Sequence, residues 1–134
     1  MKDFQTLIED RAATLFAGTH EVLKPIIGHL KLIERREREF TGVGFYTELH
    51  YSDEAKPLRF DQDWSFMGGV GGDCPEMPEG FWIGFHLSGG FLRTIEGLAN
   101  EGEWRFESEP ELVMNYVEHE YRYLSEPYLR QDAQ

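Results

Sequence analysis

Cys74 lies in the run Asp73-Cys74-Pro75, where a thiol becomes a nucleophile only if a base such as His86 or His50 comes close enough to generate the thiolate. The acidic neighbourhood works against this, because thiolates form in electropositive surroundings. Cys74, His86 and Glu96 are therefore weak pocket candidates, and no residue is assigned as catalytic. Gly68-Gly69-Val70-Gly71-Gly72 has the glycine content of a phosphate-cradling loop. It lacks the Lys-Ser/Thr ending of a Walker motif and the Gly-x-Gly-x-x-Gly spacing, and its nearest charge is Asp73. His20, His29, His50, His86 and His119 show no His-x-x-x-His or Glu-x-x-His pairing that would place two ligands on one helical face. No metal or other cofactor is assigned.

Carboxylate pairs are the remaining chemistry. Asp61 and Asp63 share a strand face, and Glu101 and Glu103 stand close in sequence, but acid–base work needs burial that drives two pKa values apart. With a net charge of −12, solvated carboxylates are the expected finding. Trp64, Trp82 and Trp104 could line a groove, although large aromatics in a small sheet protein usually supply core area.

The charge is unevenly spread. Residues 1–41 are balanced, whereas residues 42–134 carry the excess of acid. Phosphate backbones and anionic lipid headgroups would be repelled, so neither nucleic acid nor membrane is expected as a partner. A basic protein would be attracted, with Asp61, Asp63, Glu101, Glu103, Glu107 and Glu109 as the partner-binding carboxylates. The competing explanation is that the acids keep a small protein soluble.

These side chains must be positioned by one domain spanning residues 1–134, a size that buries about two-thirds of its unfolded surface. A lone cysteine makes no internal disulfide. Residues 1–16 mix charged with apolar side chains where a secretory signal would be uninterruptedly apolar, so a cytoplasmic location is expected. No run approaches the roughly 20 apolar residues that span a bilayer.

Phe4, Leu7, Ile8, Ala12, Leu15 and Phe16 recur at helical spacing, with Asp3 as cap and Gly18 as stop. Pro25 and Gly28 predict a short or broken helical stretch over 19–30. Residues 30–40 and 43–51 read as a hairpin around Thr41-Gly42, with Val43, Phe45, Thr47, Leu49 and Tyr51 on the buried face. In 34–39 both strand faces are polar, which predicts an edge strand; a charged end of the preceding helix is the competing reading. A polar turn at 52–57 precedes a short strand at 58–64 and another candidate at 66–70. The glycine- and proline-rich residues 68–80 are expected to be a mobile loop. Phe81, Ile83, Phe85 and Leu87 alternate with Trp82, Gly84, His86 and Ser88 up to Gly89-Gly90, a second hairpin. Ser108-Glu109-Pro110-Glu111 has capping-box spacing, so a C-terminal helix is expected to about Ser125.

Arg38-Glu39-Phe40-Thr41-Gly42-Val43-Gly44-Phe45-Tyr46-Thr47, then Gly90-Phe91-Leu92-Arg93-Thr94-Ile95-Glu96-Gly97 and Glu103-Trp104, resemble a set of small bacterial proteins of unassigned function. The likeness covers about residues 30–104; Leu98 stands where that set has an aromatic, and Arg105 where it has proline. The resemblance implies an α+β fold and no catalysis. The expectation is thus an α+β domain: a curved, mostly antiparallel sheet of about five strands packed on the N-terminal helix, with a C-terminal helix. Its function would be non-catalytic binding of a basic protein, in the manner of an immunity-like inhibitor. The alternative is a small-molecule binder or small enzyme with a pocket between sheet and helix. Self-association through an edge strand or through Tyr116, Tyr121, Tyr123 and Tyr128 is also expected from the pattern.

Overall fold

The computed structural model describes residues 3–18, 21–60, 64–106 and 117–123, with backbone alone for Val22 and for residues 64–69 and 117–123. Helix α1 (Phe4–Ala17) begins where the Asp3 carboxylate accepts the Thr6 N–H at 2.7 Å and ends at Gly18. That contact, led by the backbone N–H, holds the Asp3 carboxyl below its ordinary pKa. Ile8, Ala12, Ala13, Phe16 and Ala17 are buried at helical spacing, while Phe4 and Leu7 stay exposed beside this stripe. The broken stretch that follows is a 3-10 turn (Glu21–Leu23) and a short helix α2 (Pro25–Lys31). Pro25 opens α2 where a missing N–H costs no helical bond.

Among the described residues, six strands then build an antiparallel sheet, so the fold is α+β. They are β1 (Ile33–Phe40), β2 (Gly44–Tyr51), β3 (Trp64–Cys74), β4 (Met77–Ser88), β5 (Phe91–Ala99) and β6 (Val117–Tyr123), in the order β1-β2-β5-β4-β3-β6. β1 is an edge, as its two polar faces require, and the helical reading of 34–39 falls away. The β4–β5 hairpin turns at Gly89 and Gly90, with φ of 61° and 89°, the left-handed pair that a tight connection between twisted strands needs.

Both helices cover one face of the sheet. Phe16 stacks on Phe85 with centroids 4.6 Å apart, and Phe45, Leu49, Phe81, Ile83, Leu87 and Ile95 are buried around them. Trp104 completes this core against Phe45 and Phe81, its indole N–H donating to Gln5 Oε1 at 3.2 Å. Val43, grouped with the buried face on alternation, lies in the exposed connection between β1 and β2.

Three expectations are corrected. Residues 68–80 are not a loop: Gly68–Cys74 belong to β3 and Met77–Gly80 to β4, with Gly72 opposite Phe81. Glycine serves the packing here, because a Cβ on Gly72 would lie 2.6 Å from Cζ of Phe81. The second correction concerns the C-terminal helix, since 117–123 form β6, paired with β3 from Trp64↔Tyr123 to Val70↔Val117. A sixth strand satisfies the backbone groups along the free edge of β3, which a helix would leave open. The proposed cap at 108–111 lies outside the described residues. Finally, Leu58 closes a 3-10 turn (Asp53–Leu58) instead of starting a strand, although Phe60 is buried as expected.

Candidate functional site

Antiparallel register decides which side chains meet on the sheet face turned away from the helices. One cross-strand row runs Glu39↔Tyr46↔Glu96↔Gly84, and the next runs Glu37↔Glu48↔Thr94↔His86. Beyond the first row, Leu98 pairs with Trp82. Tyr46 is 49 % exposed and Leu98 48 % exposed, so this face is not closed by the described residues.

Within the rows, contacts are specific. His86 Nε2 lies 2.8 Å from Glu96 Oε1 across β4 and β5, both side chains half-buried. The Trp82 indole folds along its own strand over Gly84, where a Cβ would lie 2.0 Å from Cη2. Arg35 Nη1 reaches Glu37 Oε1 at 2.9 Å, and Glu37, Glu39, Tyr46 and Glu48 line a groove of about 230 Å³ together with Arg38. The end of this face is set by two backbone bonds, Ala99 N–H to the Val43 carbonyl and Trp104 N–H to the Gly42 carbonyl. Residues 100–103 therefore sit beside the 41–43 connection, and both Glu101 and Glu103 are exposed there.

The helix-covered face treats charge differently. Glu9 is fully buried, and its carboxylate accepts from Arg36 Nη1 (2.6 Å), Arg38 Nε (2.9 Å), Arg38 Nη2 (3.1 Å), Gln5 Nε2 (2.9 Å) and Thr47 Oγ1 (2.7 Å). Burial alone would pull the Arg36 guanidinium down, but Asp10 and Glu9 outweigh it and hold it above its ordinary pKa. A second buried polar centre is His29. Its Nε2 donates to the Leu58 carbonyl at 2.6 Å and its Nδ1 accepts the Leu92 N–H at 3.5 Å, which fixes a neutral tautomer. Phe91, Phe60 and Tyr51 surround the ring, and Tyr51 donates its hydroxyl to the Leu92 carbonyl. Burial pushes the His29 pKa down and the Tyr51 pKa up.

The sequence candidates separate accordingly. His86 and Glu96 come together, on the open face and not between sheet and helix. Cys74 is apart from them, buried in the core, where burial and then the Glu76 carboxylate push its thiol up, away from thiolate formation. Of the carboxylates expected to bind a partner, Glu101 and Glu103 are exposed beyond the end of β5, whereas Asp61, Asp63, Glu107 and Glu109 lie outside the described residues. Glu39, Tyr46 and Glu48 were missed by motif reasoning, because only the β1–β2 register makes them neighbours of Glu96 and His86. Their strict alternation with Arg38, Phe45 and Thr47 was the available signal. Compared with protein-family models, with curated proteins and with solved structures, the chain matches none. No described helix is long and apolar enough to cross a membrane.

Proposed function

We propose that the chain is a non-catalytic binding protein, in the manner of an immunity-like inhibitor, that engages a basic partner protein through the open sheet face. The observation that carries this reading is the row Glu39–Tyr46–Glu96 with the Trp82 indole laid over Gly84 beside it. Carboxylates alternating with aromatic surface suit lysine and arginine side chains. A guanidinium gains about 0.5–2 kcal/mol from an aromatic face, and a carboxylate adds a charge-assisted hydrogen bond. Glu101 and Glu103 extend the negative field past the end of β5 and would raise the rate of encounter with a basic surface.

The alternative, a small-molecule binder or enzyme, rests on the His86–Glu96 contact, a carboxylate-oriented imidazole of the kind used in general base catalysis. Its expected place between sheet and helix is occupied by the Phe16–Phe85 stack and its neighbours, so the binding reading is preferred.

Titration of the 15N-labelled protein with an arginine-rich peptide tests the surface. Shifts concentrated at the Tyr46, Glu96 and Leu98 amides and the Trp82 indole are expected, and should shrink as salt rises. Shifts spread evenly over the chain, or equal shifts with an acidic peptide, would contradict the assignment.

A further inference from the structure

We propose that the outer edge of β1 is a homodimer interface, on which a second copy of this chain pairs its own β1 antiparallel across a two-fold axis at Arg36. Among the described residues β1 ends the sheet. The Thr41 N–H donates to the Gly44 carbonyl and antiparallel bonds alternate, so Glu39 and Glu37 bond to β2 while the main-chain groups of Phe40, Arg38 and Arg36 point away from the sheet. Charged side chains on an edge ordinarily block pairing. The order of signs along β1 blocks most registers and favours one.

Two-fold pairing sets each outward-directed residue against another, so the axis passes through a residue. An axis at Arg35, Glu37 or Glu39 sets that residue against its own copy, and one at Arg38 sets Glu37 against Glu39; like charges directly opposite are destabilising. With the axis at Arg36, Arg35 faces Glu37 of the second copy twice over, and Glu34 faces Arg38. The two Arg36 residues that meet on this axis are already neutralised, each held by Glu9 at 2.6 Å and by Asp10 in its own copy. A second observation points to the same register. Phe40, on the helix side opposite Phe45, is 59 % exposed, and this alignment carries it to Leu32 of the second copy, itself only partly buried. Arg35 and Glu37, 2.9 Å apart within one copy, form with their counterparts a ring of four alternating charges. The contact is one strand wide, below the roughly 1,200 Å² of stable interfaces, so a weak, concentration-dependent dimer is expected.

Sedimentation velocity of the full chain from about 10 µM to about 1 mM tests it. The expected result is a monomer–dimer equilibrium that shifts to dimer with concentration and is weakened by salt. Arg35→Glu and Glu37→Arg each set like charges opposite one another at two places, and each should weaken the dimer at least about tenfold. Both side chains are more than half exposed, and circular dichroism checks that each variant keeps the fold. The double variant restores opposite charges in this register only and should dimerise as the wild type does. The two single variants, mixed, should form a heterodimer. A monomer throughout the range, a dimer unchanged by either single variant, or failure of the double variant or of the mixture to restore it would overturn the proposal.

Discussion

Arg38 on β1 and Glu9 on α1 meet with Nε 2.9 Å from Oε2, inside the helix–sheet interface and not on its rim. Glu9 also holds Arg36 and Thr47, so one buried carboxylate ties α1 to the two strands at this end of the sheet. The helix side of β1 is thereby neutralised, whereas Glu37, Glu39 and Glu48 remain on the opposite face. The same alternation that closes one face leaves the other acidic.

Glu9→Ala leaves two guanidinium groups largely buried without their shared counter-charge. The expected loss is about 3–5 kcal/mol, read from urea unfolding. A loss below about 1 kcal/mol would mean that water or Asp10 replaces the contact.

Stability should depend on pH through His29. Its pKa is lowered in the fold from the ordinary 6.5, chiefly by burial, so the unfolded chain binds the proton first. Stability is full above pH 6.5 and declines as pH falls through that value toward the folded pKa. His29→Gln should flatten the urea midpoint between pH 7.5 and 5.5; an unchanged slope in the variant would remove His29 as its source. The contribution of Asp3 has the same sign but lies lower, being lost only below about pH 3.8.

Two glycines facing aromatic rings should respond differently. Gly72→Ala drives a methyl against buried Phe81 and should cost about 1–3 kcal/mol. Gly84→Ala meets an indole on the open face that can swing outward, so its cost should be smaller, while Trp82 fluorescence shifts to the red. Equal costs for the two variants would contradict the difference drawn between the faces.

Cys74 should alkylate with iodoacetamide more slowly than a model thiol at neutral pH and reach the model rate in urea. Its thiol is both buried and raised in pKa, and fast labelling of the native chain would contradict both statements.

Periodicity made much of this molecule legible. The stripe Ile8–Ala12–Phe16, the alternation Phe81–Ile83–Phe85–Leu87 and the Gly89-Gly90 turn each follow from local spacing. Gly68 to Gly72 were misleading because their composition is that of a loop, while the reason for Gly72, the ring of Phe81, comes from another strand. Residues 117–123 fit helical spacing through Val117 and Tyr121, yet Val117, His119, Tyr121 and Tyr123 also alternate with charge, and the open edge of β3 selects the strand. The rows Glu39–Tyr46–Glu96 and Glu37–Glu48 depend on register between strands, which no single-segment motif encodes.

Capture from a native-cell lysate most directly tests the central claim, with the wild-type chain set beside a Glu39→Lys, Glu101→Lys, Glu103→Lys variant at low and moderate salt. The account predicts a basic protein retained by the wild type, weakened by salt and lost by the folded variant. A partner held equally by both chains, or no partner on a folded wild-type bait at low salt, would contradict it.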